Sequence, residues 1–180
     1  MNTMQTLPKK ARRLASARPI APDTVDRPAL LPQDVQLKRI LVPVDFSGPS
    51  IQALRIASQL AAQSEASLQI AFVAEHVVYF DEAVTFPGQN VLEEMKQKLT
   101  DLARSEVSEL VPVYPHVLKG KPWTKIVELA RDHAIDLIVI GTHGRTGLSH
   151  FLLGSTAEQV VRYAPCPVLV VRDQQPGPQP

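Results

Sequence analysis

The sequence predicts an α/β fold: a single doubly wound sheet of five parallel strands with four helices on its two faces. Short apolar runs alternate with longer segments that carry apolar residues at helical spacing, which gives the order βαβαβαβαβ. The runs 137–140 (LIVI) and 168–171 (VLVV) lack polar alternation, which is typical of parallel strands covered on both faces. The sequence contains no internal repeat, which favours one domain.

The first half of the chain supplies two strands and two helices. The first strand is predicted over 38–46 (KRILVPVDF), and apolar residues at helical spacing from Ile51 to Ala61 predict the next helix. The second strand is predicted over 67–74 (SLQIAFVA), followed by a loop over 75–87. A second helix is predicted from about 88 to 107, because an apolar stripe repeats there at helical spacing.

The second half adds three strands and two helices. The third strand is predicted over 111–118 at the sheet edge, because Pro112 and Pro115 would interrupt the hydrogen bonds of a central strand. Gly120 ends this strand, and Pro122 opens a helix over 122–134. The strand 137–140, a helix that begins at Gly154 and the strand 168–171 complete the fold.

The two ends of the 180-residue chain differ in composition from its middle. Residues 1–36 hold five prolines, six basic residues and three acidic residues, without a sustained apolar period. We expect a disordered, basic and proline-rich extension over 1–36, the folded domain over 37–173 and a disordered tail over 174–180. A targeting segment is the alternative for the acid-free first 20 residues, and we favour the extension because the segment is poor in serine.

Composition excludes several classes of protein. The formal net charge is +1, so there is no global reason to expect nucleic acid or an anionic membrane as partner. No run of 18 apolar residues is present, which argues against a transmembrane helix. Cys166 is the only cysteine, so an intramolecular disulfide is impossible and a reducing, cytoplasmic location is expected. The histidines show no metal-ligand spacing.

A glycine-rich loop between the fourth strand and the fourth helix is the best candidate for a ligand site. Gly141 follows the strand at its carboxyl end, where open α/β sheets bind ligands. Gly144 lets the backbone approach a ligand closely, because glycine has no Cβ. Gly154, Ser155 and Thr156 stand at a helix start, where N–H groups, the helix dipole and hydroxyl groups favour an anion. The loop therefore predicts a cradle for a polyphosphate.

Structural alternatives remain open for these residues. Glycines after a strand are often turn residues only, and Ser155 or Thr156 would also suit an ordinary helix N-cap. Neither the P-loop pattern GxxxxGK[ST] nor the dinucleotide-binding pattern GxGxxG is present.

The spacing of these glycines resembles a family motif. Gly141, two residues, Gly144, nine residues, Gly154 and then Ser155 is similar to the nucleotide-binding motif of universal stress proteins, G-x2-G-x9-G-[ST]. The flanking segments DLIVIGTHG and LLGSTAEQVVRYAPCPVLVVR resemble the end of that domain. The resemblance implies an adenine nucleotide alpha hydrolase-like fold with strand order 3-2-1-4-5. It also implies the ATP-binding subgroup of the family, with Mg²⁺ accompanying ATP.

The resemblance further implies which residues hold the nucleotide. Asp45 is expected at the ribose or near the metal, and its alternative role is a helix-entry carboxylate without a ligand. The backbone of Val73 is expected to meet adenine. No catalytic residue and no protein ligand to a metal is predicted. The complete predicted set is Pro43, Asp45, Val73, Ile140, Gly141, Gly144, Gly154, Ser155 and Thr156.

One departure from the family pattern concerns charge near the phosphates. His150 stands where relatives often carry arginine or lysine, which would weaken the electrostatic hold on a triphosphate. Arg145 in the loop is a candidate to replace that charge in part, against the alternative of a solvated loop arginine. His143 is a candidate for a catalytic or switching role, against the alternative of an exposed loop histidine.

We therefore expect an ATP-binding universal stress protein that acts in stress response or regulation. Its output would be a nucleotide-dependent change of partner or oligomer, with at most slow ATP hydrolysis. The alternative is an interaction module with the same fold that holds no nucleotide in the cell. An adenylyl-transferring enzyme is disfavoured, because neither an HxGH nor an SGGxD signature is present. An apolar last strand at a sheet edge predicts a homodimer through Val168, Leu169, Val170 and Val171.

Overall fold

The computed structural model describes residues 36–75, 77–78, 84–85, 89–142 and 153–172. It confirms the α/β fold. The strands and helices run in the order β1 (Arg39–Pro43), α1 (Gly48–Ser64), β2 (Ser67–Ala74), β3 (Val77–Val78), β4 (Val84–Thr85), α2 (Gln89–Glu106), β5 (Val113–Lys119), α3 (Pro122–Asp132), β6 (Leu137–Gly141), α4 (Ser155–Tyr163) and β7 (Val168–Val171). The predicted extension and tail depend on residues 1–35 and 173–180, which lie outside the described residues.

The main sheet has five parallel strands in the order β5-β2-β1-β6-β7. Counted along the main sheet alone, this is the predicted order 3-2-1-4-5. The predicted edge position of the proline-containing strand is also confirmed, since β5 pairs with β2 at the end of the sheet. An edge strand needs hydrogen bonds on one side only, so it tolerates Pro115 within its length.

Some boundaries differ from the prediction. The first strand ends at Pro43 rather than at residue 46, and Phe46 takes a positive φ of 65° that turns the chain towards α1. The segment predicted as a plain loop contains a small antiparallel pair, in which Val77 faces Thr85 and Val78 faces Val84. These β-branched residues favour extended backbone, but the strands are too short for a periodic signal in the sequence.

Two hydrophobic clusters cover the two faces of the sheet. Ile40 and Val42 of β1 pack with α1 and α2, while Leu41 between them packs with α3 and α4. This alternation follows from the strand geometry, in which neighbouring side chains point to opposite faces. Consecutive helices thus cover one face and then the other, as the doubly wound topology requires.

The amino end of the sheet is fixed by one carboxylate. Asp136, just before β6, accepts hydrogen bonds through Oδ2 from the backbone N–H groups of Lys38 and Arg39, at 2.9 and 2.8 Å. These bonds set the register between β1 and β6.

Cys166, before β7, is half-buried against the α3–α4 cluster, and burial raises the pKa of its thiol. A thiol with a raised pKa is a weak nucleophile, which agrees with a packing role.

Candidate functional site

A cavity of about 420 Å³ opens at the carboxyl edge of the sheet. Its walls are the ends of β1, β2 and β6 and the first turns of α1, α3 and α4. β1 and β6 are neighbours whose chains continue to opposite sides of the sheet, so the cavity lies at the topological switch point. Ligands of open α/β sheets bind at such points.

Every predicted site residue that the structure describes lines this cavity. The strand ends contribute the apolar residues, Asp45 and Gly141, and the start of α4 contributes Gly154 and the two hydroxyl residues. The residues that the structure brings together are Pro43, Asp45, Val73, Ile140, Gly141, Gly154, Ser155 and Thr156. Gly144, His143, Arg145 and His150 lie outside the described residues.

The first turn of α4 lies at the cavity. Gly154 is the N-cap, with φ −61° and ψ 149°, and as a glycine it has no side chain that could cap the helix. The alternative in which Ser155 or Thr156 is the N-cap is therefore wrong, since Ser155 is already the first helical residue. The first intrahelical bond runs from the N–H of Glu158 to the carbonyl of Gly154 at 2.9 Å. The N–H groups of residues 155–157 consequently have no helical acceptor, and they suit an anion.

Gly141 is required by packing. Its backbone φ is not positive, but a Cβ built there would lie 2.8 Å from the carbonyl carbon of Pro49 and 2.9 Å from its Cβ. The end of β6 therefore touches the start of α1 directly. This contact brings the first turn of α1, including the buried Ser50, to the cavity wall. This packing role differs from the turn role that was the alternative for this glycine, because Gly141 lies within β6 and its φ is not positive.

Asp45 is built into the entry of α1. Its Oδ1 accepts hydrogen bonds from the backbone N–H of Ser47 at 3.0 Å and from the Ser47 hydroxyl at 2.5 Å. The backbone N–H of Asp45 in turn lies 3.4 Å from Ser50 Oγ. These bonds match the helix-entry role that was the alternative to ligand binding. The same bonds fix the carboxylate at the cavity wall, so the two roles are compatible.

The described wall of the cavity carries acidic side chains and no basic one. Asp45 and Glu75 follow β1 and β2, and no lysine or arginine of the described residues joins them. Among the described residues, only the helix N-termini at this wall would therefore attract an anion. Within the described ranges, no group of three or more histidine, cysteine, aspartate or glutamate residues is arranged to hold a metal ion.

Sequence reasoning missed several wall residues. Pro122 and Ile126 reach the cavity from α3, which is distant in sequence from the glycine-rich loop. No local pattern could have assigned them, because only the three-dimensional crossing of α3 over the sheet brings them there. Thr142 could have been predicted as a wall residue, because it directly follows Gly141 at the end of β6. Side chains alternate between the two faces of a strand, so Thr142 is expected on the same face as Ile140.

The profile of the universal stress protein family matches residues 36–172. The chain belongs to the universal stress protein family. It is 34% identical over 143 residues to universal stress protein MJ0531 of Methanocaldococcus jannaschii, covering 75% of this chain and 82% of that protein. It is 37% identical over 139 residues to universal stress protein A homolog 1 of Coxiella burnetii, covering 74% of this chain and 95% of that protein.

Solved structures of universal stress proteins share the fold. UspA from Lactobacillus plantarum superposes with a TM-score of 0.62 at 29% identity, covering 77% of this chain and all of that chain, 100%. A universal stress protein crystallised in complex with cAMP superposes with a TM-score of 0.58 at 29% identity, covering 77% and 99% of the two chains. None of the helices in the described ranges is long and apolar enough to cross a membrane.

Proposed function

We propose that this universal stress protein binds ATP in the cavity at the carboxyl edge of the sheet. The observation that carries the proposal is the start of α4 at that cavity, where the first N–H groups have no intrahelical acceptor and Ser155 and Thr156 add hydroxyls. The cavity volume, about 420 Å³, is within the usual range for small-molecule sites. A family member of known structure in complex with cAMP supports an adenine nucleotide as the class of ligand.

The two ends of the cavity differ in chemistry, which gives the nucleotide a direction. Ala71, Val73 and Ile126 make one wall apolar, and this wall suits a purine base. The start of α4 carries N–H and hydroxyl donors, and it suits the phosphates. Asp45, held at the end of β1, is then the acceptor for a ribose hydroxyl or a neighbour of the metal.

The charge of the wall supports Mg²⁺ as the companion of ATP. A triphosphate beside Asp45 and Glu75 would add negative charge to a wall that already has two carboxylates. A divalent cation offsets this repulsion, and Mg²⁺ is held in proteins by phosphates, one or two carboxylates and water. We propose that the phosphates supply most of its ligands.

We propose an output by change of partner or oligomer, with at most slow hydrolysis, and we assign no catalytic residue. The outer edge of β7 is a candidate contact for a homodimer, through Val168, Leu169, Val170 and Val171. Leu169 is 39% exposed although it is a large apolar residue in a strand. In the described sheet β7 pairs only with β6, so its second edge is available for pairing. A reducing cytoplasm remains the proposed location.

The absence of a basic side chain from the described wall favours a second candidate function. An interaction module of the same fold binds no phosphate, so it would need no basic side chain to neutralise phosphate charge. The carboxylates of Asp45 and Glu75 would then repel no bound nucleotide. The start of α4 argues for the nucleotide, because its first N–H groups and the helix dipole favour an anion at the cavity.

The two candidates are separated by the nucleotide that accompanies the purified protein. We expect ATP or ADP in mass spectra of protein purified without added nucleotide, and none in a Gly144→Val, Gly154→Val variant. The backbone at Gly154 has angles that valine adopts, so that substitution fills the cradle without straining the chain. Gly48→Ala is the matched control, since Gly48 is exposed at the start of α1. Empty native protein that also fails to bind millimolar ATP by calorimetry would leave the interaction module as the function.

A further inference from the structure

Two histidines meet at the β5 edge of the sheet, away from the nucleotide cavity. His116 lies within β5, and His133 is the C-cap residue of α3. Their ring centroids are 5.0 Å apart, and the two ring planes meet at 71°. Neither residue lines the cavity at the carboxyl edge. The two residues are distant in the sequence, so only the packing of α3 beside β5 reveals this pair.

The separation of the two rings fits a pair that shares one metal ion. A histidine nitrogen lies ~2.0–2.1 Å from the metal that it ligates, which places the ring centroid ~3.2 Å from the metal. Two such rings are ~4.5 Å apart when the angle between the ligands is about 90°, and ~5.2 Å apart at the tetrahedral angle. The observed separation of 5.0 Å lies within this range.

His116 already has the hydrogen bond that orients a metal-ligating histidine. Its Nε2 lies 2.7 Å from Oε1 of Gln69. An amide oxygen only accepts, so Nε2 carries the proton and donates, and the lone pair is on Nδ1. Gln69 is only 6% exposed in β2, so packing holds this acceptor in place. Histidine ligands almost always donate their second ring N–H to such an acceptor, which fixes the ring orientation and raises the basicity of the ligating nitrogen.

Protonation and local charge also suit a cation. Burial, together with the nearby His133, lowers the pKa of His116. His116 is therefore neutral at pH 7, which is the form that ligates metals. His133 stands at the carboxyl end of α3, where the negative end of the helix dipole attracts a positive ion. His133 is also exposed, so a metal ion and its water ligands have access from solvent.

We propose that His116 and His133 form a binding site for a divalent transition-metal ion of the class that imidazole prefers, namely Zn²⁺, Ni²⁺ or Cu²⁺. Gln69 holds His116 in the ligating tautomer. Within the described ranges, no group of three or more histidine, cysteine, aspartate or glutamate residues could hold a metal, so the protein supplies two ligands and water completes the coordination. The site is therefore open and its metal exchangeable, in contrast to the closed sites of structural zinc.

The test is calorimetry on tag-free, metal-free protein titrated with Zn²⁺ alone, without nucleotide, at about pH 7.5. We expect one Zn²⁺ per chain. His133→Gln and His116→Gln should each weaken binding about 10-fold or more, and Gln69→Leu about 10–100-fold. His133→Gln is the decisive variant, because it replaces an exposed side chain and leaves the core intact. The double variant His143→Gln, His150→Gln is the control, and it should bind Zn²⁺ as tightly as the native protein does.

Long-range ¹H–¹⁵N NMR of the histidine rings gives a readout that a purely structural role would not move. On addition of Zn²⁺, Nδ1 of His116 should shift while Nε2 keeps its proton on Gln69. Millimolar Mg²⁺ should cause no such shift, because a hard cation prefers oxygen ligands. Native protein that binds no Zn²⁺ at submillimolar concentration would overturn the proposal, and so would Zn²⁺ binding that His133→Gln leaves unchanged. These outcomes do not depend on whether the protein binds ATP.

Discussion

The contact between β6 and α1 leaves no room for a side chain at residue 141. In Gly141→Ala, the new Cβ would lie 2.8, 2.9 and 3.0 Å from three atoms of Pro49, well inside the ~3.5–4.0 Å optimum for carbon contacts. Two of these atoms belong to the backbone, so no change of rotamer relieves the clash. Either α1 or the end of β6 must move, and overpacking of this kind lowers the free energy of unfolding by about 1–3 kcal/mol.

Urea denaturation of ligand-free protein measures this change without any contribution from a bound nucleotide. We expect the urea midpoint to fall at unchanged slope, with a drop in melting temperature of roughly 3–12 °C. Gly48→Ala is the matched control, because Gly48 is exposed in the first turn of the same helix, where alanine is neutral or slightly stabilising. If Gly141→Ala and Gly48→Ala had equal stability, Gly141 would not be a packing residue and its close contact with Pro49 would be refuted.

Two further predictions concern pH and assembly. His116 Nε2 lies 2.7 Å from Oε1 of Gln69, and burial, with His133 nearby, lowers the pKa of His116. Below about pH 6.5 the unfolded chain therefore binds more protons than the folded one, and stability falls as pH falls. In His116→Gln this decline should be shallower in urea melts from pH 8 to 5, and an unchanged decline would contradict the assignment. For the proposed dimer, Leu169→Lys should give a monomer by light scattering at micromolar concentration. Leu110→Lys is the control, because Leu110 is an exposed leucine in the turn before β5, and it should leave the dimer intact. A native monomer would count against the β7 interface.

The sheet was predictable because its signals are local. Four strands of the main sheet are short and mainly apolar, and Pro112 and Pro115 mark the fifth as an edge strand without any knowledge of its neighbours. The order of the strands in the sheet was predicted from the family resemblance, because the periodicity of the sequence does not indicate which strands are neighbours. The small pair of Val77–Val78 with Val84–Thr85 was missed, because two residues are too few to show alternation.

The sequence predicted which residues line the candidate site, but it did not predict all of the interactions that place them there. From the sequence, Gly141 was predicted to be part of a ligand-binding loop. The structure shows in addition that Pro49, which is distant in sequence, fills the space that a side chain at residue 141 would need. Asp45 is bonded to Ser47, two residues on, and this local bond was within reach of sequence reasoning. The contribution of α3 to the wall depends on tertiary packing, which no local pattern encodes.

The most direct test of the central proposal is ¹H–¹⁵N NMR of the native protein titrated with ATP and Mg²⁺. We expect the largest shifts at the amides of Ser155, Thr156 and Ala157, because their N–H groups would gain phosphate acceptors. The amides of Lys38 and Arg39, bonded to Asp136 at the opposite edge of the sheet, should stay unchanged. If the protein became saturated with ATP and the amides of these three α4 residues did not shift, the proposal that this helix start holds the phosphates would be contradicted. It would also be contradicted if no amide shifted at millimolar ATP.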